Sequence, residues 1–323
     1  MKRILAWLAA RLRRRAPAPG RFSLSRKASL HGFVGMAAAP PWREYLLYLP
    51  RRMDALRQPS LVVWLHGCRQ DPEAFAAGTR IARYADERGF VVLLPRQSRL
   101  ANPERCWNWF DRRTAGGAGE AAIVAAQVTE VMEKYGIGPR RVYLAGLSSG
   151  GALAATLALR TPGLFAAAAF HSAVPCGAAT DAHDAGRVMA EGPKNAVTDA
   201  LALEARAAAG AKARMPVMVI QGSADSTVAP VNAVYLVRQF LIFNGLADLP
   251  PAAALPPAQM RAVHPRISDY HASEYYAGRR LAARLLTVPG LGHAWSGGDP
   301  AYEYCDDRHL DATALVCDFF AQH

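Results

Sequence analysis

The sequence predicts an α/β fold with a mostly parallel central sheet flanked by helices. Two observations carry the prediction. Short, continuous apolar runs alternate with stretches of helical period along most of the chain, which is the signature of strand–helix–strand units. Polar residues also stand just beyond the C-terminal ends of several apolar runs, where sheets of this kind bind ligands. At 323 residues, 51% hydrophobic and 20% charged, the chain can bury a sizeable core, and global disorder is excluded. No run approaches the ~18 apolar residues of a membrane helix, and no internal repeat is present.

Taken in order, Tyr45 to Leu49 reads as a short strand, and an Arg- and Pro-containing connection follows over residues 50–60. Leu61 to Leu65 is uniformly apolar, as expected of a strand buried on both faces. A helical pattern over Glu73 to Arg88 stops at Gly89, and Phe90 to Leu94 is a second buried strand closed by Pro95. Residues 96–118 are a loop containing Cys106-Trp107-Asn108-Trp109-Phe110. A helix over Glu120 to Tyr135 carries an apolar stripe of Val124, Val128, Val131, Met132 and Tyr135. Gly136 to Pro139 ends it. Val142 to Ala145 is the next strand, Ala152 to Leu159 a helix, and Ala166 to Phe170 another strand. Residues 177–212 are Ala-rich and poorly patterned. Val217 to Ile220 is a strand, Val231 to Phe243 a helix, and residues 247–280 an insertion rich in Pro and Ala. Leu281 to Val288 is the last strand. A closing helix uses Leu315, Val316, Phe319 and Phe320.

Gly146-Leu147-Ser148-Ser149-Gly150 lies between a buried strand and a helix. In that setting G-x-S-x-G marks a sharp turn that lifts a serine hydroxyl above the sheet; the bland alternative is a capping serine. A serine hydroxyl is a poor nucleophile unless a base stands within hydrogen-bond reach and a third group orients that base. His293, in Gly290-Leu291-Gly292-His293 after the last strand, is the candidate base. It is chosen over His171, His264, His271 and His309 for its flanking glycine and preceding strand. Asp225, in Gly222-Ser223-Ala224-Asp225, is the candidate acid. It follows a buried strand through a glycine turn, unlike Asp199, Asp269 and Asp299, although a turn or N-cap aspartate would look the same. Two backbone N–H groups are needed for the developing oxyanion. The Ser149 N–H is one, and the Cys68 N–H, in His66-Gly67-Cys68 after an early strand, is the other.

The five cysteines, Cys68, Cys106, Cys176, Cys305 and Cys317, form no C-x-x-C. Neither a zinc ribbon nor a thioredoxin-like site is therefore expected, and the pairing stays open. The histidines form no H-E-x-x-H and the glycines no phosphate loop, so no metal or other cofactor is expected. The net charge of +12 is concentrated at the start: residues 1–42 hold nine Lys or Arg and no Asp or Glu, leaving +3 for the rest. Residues 1–42 are read as a basic tail and residues 43–323 as the folded domain. Three readings compete for the tail: a short export signal, an amphipathic segment on an anionic surface and a solvated arm, which is the one adopted. No nucleic-acid partner is expected, because Trp7 alone interleaves the basic cluster.

Several of these motifs together resemble a known family. His66-Gly67-Cys68-Arg69-Gln70, Gly89-Phe90-Val91-Val92, Cys106-Trp107-Asn108-Trp109-Phe110 and Gly119-Glu120-Ala121-Ala122 occur in that order. Gly146 to Gly151, Gly222 to Asp225 and Gly292-His293-Ala294-Trp295-Ser296-Gly297-Gly298 complete the series. Over residues 43–320 the chain is similar to the poly(3-hydroxybutyrate) depolymerase esterases, which are close to the feruloyl and acetylxylan esterases. The order nucleophile, acid, histidine is that of the α/β-hydrolase fold. The resemblance implies a Ser148, Asp225 and His293 triad, oxyanion donors at Cys68 and Ser149, and a substrate face lined by Trp107 and Trp109. Read from the residues alone, the two indoles are equally well core. The resemblance implies an ester or polyester substrate and an extracellular or periplasmic setting. Against these, the short apolar stretch of the tail is a weak export signal and leaves a cytoplasmic setting open. The lack of a Thr-rich or Gly/Ser linker and of a polymer-binding module favours oligomers and soluble esters over crystalline polymer.

Overall fold

The computed structural model describes residues 19–28, 42–56, 58–193, 195–246, 255, 259–260 and 270–323. A ten-stranded sheet runs through them in the order β1-β2-β4-β3-β5-β6-β7-β10-β9-β8. Its strands are β1 (Phe22–Ala28), β2 (Trp42–Tyr48), β3 (Ser60–Leu65), β4 (Phe90–Pro95), β5 (Val142–Leu147), β6 (Ala167–His171), β7 (Val217–Gly222), β8 (Gln259–Met260), β9 (His271–Ala277) and β10 (Arg280–Val288). From β4 to β10 the neighbours are parallel. Antiparallel pairs close both edges. A separate two-stranded ladder joins β11 (Trp295–Ser296) to β12 (Cys305–Asp306).

Alternate residues of the central strands feed two cores, one on each face of the sheet. On one face Leu61, Val63, Leu65, Leu144, Phe170 and Val219 pack with α4 (Gly119–Tyr135), α5 (Ser149–Arg160) and α8 (Val231–Phe243). On the other, Val62, Trp64, Ala145, Leu147 and Ile220 pack with α1 (Pro72–Gly78), α2 (Ile81–Arg88) and α9 (Ala312–Phe320). In α4 the predicted stripe faces its core: Val124, Val128 and Val131 are fully buried, with Met132 and Tyr135 packed at its margin.

Five sequence readings need correction. The single helix expected over residues 73–88 is two helices, α1 and α2, broken at Thr79 and Arg80. The Gly78 and Thr79 carbonyls, which a continuous helix would need, are taken by the Asp299 N–H (2.7 Å) and the Thr313 hydroxyl (2.8 Å). Part of the segment read as tail, Phe22 to Ala28, instead pairs antiparallel with β2; a basic composition hid its alternation. The rest of the tail, residues 1–18 and 29–41, lies outside the described residues, as does Arg57. The poorly patterned stretch 177–212 forms α6 (Ala182–Glu191) and α7 (Asn195–Ala209), since alanine supports a helix without marking a face. A short helix, α3 (Arg112–Ala115), lies inside the 96–118 loop. The end of the insertion, His271 to Ala277, is strand β9 against β10. Most of the remaining insertion, including His264 and Asp269, lies outside the described residues.

Candidate active site

Ser148 sits between β5 and α5 with φ +55° and ψ −122°, a conformation that costs a non-glycine residue on the order of 1–3 kcal/mol. Its N–H donates to the His171 carbonyl on the neighbouring strand (2.9 Å), which locks the turn. The two glycines of the motif are required by close approach. A Cβ on Gly146 would lie 2.5 Å from the Gly150 backbone, and one on Gly150 would run into the Leu65 and His66 carbonyls. Helix α5 can therefore start directly over β3 and β5, and its positive N-terminus lies at the serine.

The ends of β7 and β10 bring the other two residues to it. His293 Nε2 lies 2.9 Å from Ser148 Oγ, and His293 Nδ1 lies 2.9 Å from Asp225 Oδ2. With Nδ1–H donating to the carboxylate, Nε2 is free to accept the serine proton. The Asp225 side chain is fully buried. Its Oδ1 accepts from the Thr227 and Val228 N–H groups (3.0 and 2.8 Å), and Gln221 Nε2 lies 3.3 Å from Oδ2. Burial pushes this carboxyl up. The hydrogen bonds and charge of His293, with donors from Val228 and Ser172, more than offset it and leave Asp225 below the usual carboxylate range. The competing residues stand elsewhere: Asp199 pairs with Arg238 (2.8 Å), Asp299 lies 3.8 Å from Arg80, His309 binds Asp306 (2.6 Å) and His271 is exposed.

The His66–Cys68 loop passes directly under the serine, since a Cβ on Gly67 would sit 3.5 Å from Ser148 Cβ. His66 is fully buried. Its Nδ1 lies 2.8 Å from the Gly67 carbonyl and its Nε2 accepts from the Gln97 N–H (3.3 Å). Burial holds this histidine down at about 4, so it stays neutral. Gln70 fixes the same turn by accepting from Gly67 N–H (2.9 Å) and donating to the Glu303 carbonyl (3.0 Å). Ser149 opens α5, and its N–H is among those a helix leaves unpaired. Its hydroxyl accepts from the Trp107 N–H (3.4 Å) and lies 3.4 Å from the Cys68 sulfur. That sulfur is disulfide-bonded to Cys106, so the hydroxyl is the donor in this contact. Cys176, Cys305 and Cys317 are free thiols.

A cavity of about 120 Å³ opens beside Ser148. Trp109, Phe110, Ala152, Val174, Ala185, Met189 and Val228 give it apolar walls, and the disulfide and Ser149 form its rim. The two tryptophans read from the sequence divide here. Trp109 lines the cavity. Trp107 does not: it packs in the core, and its Nε1–H donates to the His66 carbonyl (3.0 Å). Glu120 is held under the same loop, accepting from Gln97 Nε2 (2.6 Å), Asn108 N–H (2.7 Å) and Asn108 Nδ2 (2.8 Å). Burial raises this carboxyl above its ordinary value despite those donors.

A sequence profile of the Esterase PHB depolymerase family matches residues 43–258. The chain belongs to this family. The matched stretch contains Ser148 and Asp225, whereas His293 lies beyond it. Among relatives, poly(3-hydroxyalkanoate) depolymerase C of Paucimonas lemoignei is 29% identical over 79% of this chain and 61% of its own length. The chain thus spans less than two thirds of that depolymerase. Feruloyl esterase B of Thermothelomyces thermophilus is 29% identical over 66% of this chain and 74% of its own. Acetylxylan esterase A of Emericella nidulans is 28% identical over 71% and 74%. Among solved structures, the acetyl xylan esterase of Aspergillus awamori matches with a TM-score of 0.72 at 20% identity, covering 93% of this chain and all of that one. A ferulic acid esterase matches with a TM-score of 0.56 at 14% identity, over 94% and 97%. These structural likenesses show the α/β-hydrolase fold that the family shares.

Sequence reasoning missed Ser172, Gln221 and Glu120. Gln221 and Ser172 each occupy a strand end next to a singled-out residue, which is the signal that could have drawn attention to them. Glu120 stood inside a quoted motif, but nothing local reveals that its carboxylate is buried.

Proposed function

We propose that the protein is a serine carboxylic ester hydrolase that cleaves short-chain hydroxyalkanoate esters and oligoesters through an acyl-enzyme. The observation that carries this reading is His293 bridging Ser148 Oγ and Asp225 Oδ2 at 2.9 Å on each side. His293 Nε2 takes the Ser148 proton as Oγ attacks the ester carbonyl carbon. The oxyanion is received by the Cys68 and Ser149 N–H groups. As the tetrahedral intermediate collapses, the alcohol leaves with the proton held on His293. Water then gives a proton to His293 and attacks the acyl carbon. The free acid departs as Oγ regains its proton, while Asp225 keeps Nδ1–H in place and stabilises the imidazolium.

The cavity supports a short acyl group. At about 120 Å³ it is smaller than the ~150 Å³ void that holds benzene in an engineered core. Acetyl and hydroxybutyryl groups match that space more closely than the bulkier feruloyl group. Acetyl esters of polysaccharide are the second reading, favoured by the same cavity size and by the acetylxylan esterase relative. Two measurements test the proposal. Ser148→Ala should abolish turnover of a short-chain nitrophenyl ester, and retained turnover would sink the triad. Comparing hydroxybutyrate trimer, acetylated xylan and methyl ferulate should rank ferulate last; a preference for ferulate would overturn the acyl assignment.

A further inference from the structure

Near its end, β7 carries a glutamine where the strand pattern calls for an apolar residue. Gln221 shares a face of the strand with Val217 and Val219, which are both in the core against α8. Gln221 is as fully buried as they are. Its side chain turns to the acid loop that follows. Nε2 donates to the Val228 carbonyl (3.0 Å) and lies 3.3 Å from both Asp225 Oδ2 and the Gly222 carbonyl. All three are acceptors, so the nitrogen of the amide and not its oxygen must face them. Oε1 is buried and meets no donor among the described residues. A buried oxygen left unpaired is a cost that an aliphatic side chain would avoid, and rules of core patterning are broken mainly where function demands it.

The oxygen that Gln221 approaches is the one that binds His293. Asp225 Oδ1 is held by the Thr227 and Val228 N–H groups, whereas Oδ2 takes His293 Nδ1 at 2.9 Å and Gln221 Nε2 at 3.3 Å. Two donors on one oxygen compete for its charge, and what the amide takes is withheld from the imidazole. The shorter bond to the Val228 carbonyl anchors the same amide to the loop. His171 faces the pair from β6. It is buried, and its Nε2 accepts from the Ser296 N–H (3.3 Å). Burial, with repulsion from His293, holds it at about 3 despite the nearby Asp225 charge, so it stays neutral at any ordinary pH. Tyr304, just before β12, lies edge-on to His293 with ring centroids 6.2 Å apart.

We propose that Gln221 is a positioning residue for the triad: its amide shares Asp225 Oδ2 with His293 and so keeps the buried carboxylate from trapping the imidazole in its charged form. The proposal rests on the triad reading above. Without the amide, Asp225 is still held by the Thr227 and Val228 N–H groups, but Oδ2 turns more of its charge on His293 Nδ1–H. The imidazolium is then favoured, and more base is needed to free Nε2 for the Ser148 proton.

Gln221→Met tests this, because methionine keeps the length of the side chain and loses only the amide. In the full-length protein, the acid limb of kcat/KM for a short-chain nitrophenyl ester reports the free enzyme, and it should move to higher pH by ~0.5 unit. KM should change less than about twofold, because Gln221 does not line the cavity beside Ser148. Gln221→Val, a strand former too short to reach Oδ2, should move the limb the same way, and it stands in should Gln221→Met not fold. A residue that merely clamps the loop through Val228 would lower the urea midpoint and leave the limb where it is. A limb that stays in place or moves to lower pH in a folded variant would therefore overturn the proposal. Ser148→Ala, run alongside with a fluorophosphonate label, separates the two readings. Retained turnover there sinks the triad and the Gln221 role with it, whereas an unmoved limb in Gln221→Met sinks the Gln221 role alone.

Discussion

Cys68 and Cys106 are joined by a disulfide that ties the loop under Ser148 to the loop carrying Trp109. The bond spans 38 residues. On the chain-entropy model a loop of that size is worth ~4 kcal/mol, with measured values more often ~2–4. Cys106→Ser should therefore lower the urea midpoint markedly. It should also cut kcat/KM about tenfold, because a proposed oxyanion donor is no longer held against the serine. An unchanged kcat at a reduced midpoint would show that the bond serves stability alone.

Gly150→Ala is expected to prevent folding. The added methyl would have to share space with the Leu65 and His66 carbonyls, which are backbone of a central strand and its following turn and cannot rotate away. Overpacking of a core typically costs ~1–3 kcal/mol, and here the obstacle is rigid. Soluble yield and near-UV circular dichroism check it; a native spectrum for Gly150→Ala would contradict the close approach.

These glycines show what was legible in the sequence. The G-x-S-x-G spacing, the strand before it and the order Ser148, Asp225, His293 are local signals, and the structure brings those three side chains within hydrogen-bond distance. The parallel sheet was legible because its strands are buried on both faces and read as unbroken apolar runs. The break at Thr79 was not, because it depends on Asp299 and Thr313, far along the chain. Trp107 and Trp109 look alike in sequence. Only the fold puts one under His66 and the other on the cavity wall.

That separation predicts different phenotypes for the two indoles. Trp107→Ala removes a core side chain and leaves the His66 carbonyl without its donor, so it should destabilise by ~3–5 kcal/mol. Trp109→Ala opens the cavity wall. It should raise kcat/KM for longer acyl esters relative to acetate while costing less stability. A nitrophenyl ester series from acetate to octanoate, with urea denaturation of each variant, checks both; the same acyl profile in Trp109→Ala as in wild type would remove Trp109 from the substrate face.

Acid stability should be governed by two buried histidines. Unfolded, each takes up a proton near pH ~6.5; folded, His66 resists until about 4 and His171 until about 3. Between those limits the unfolded state holds more protons than the folded one, so stability falls as pH falls, by up to ~1.4 kcal/mol per unit for each histidine. Above pH ~6.5 neither contributes. Glu120 acts in the opposite sense, since its raised carboxyl keeps a proton in the folded state after the unfolded chain has lost it. Asp225, held below its ordinary value, contributes stability that is lost only in stronger acid. The urea midpoint should therefore drop between pH 7 and pH 5. His171→Leu should flatten that slope whatever its effect on the midpoint at pH 7, and Glu120→Gln should steepen it. An unaltered slope in His171→Leu would mean that His171 takes a proton within the folded protein, contrary to its Ser296 contact.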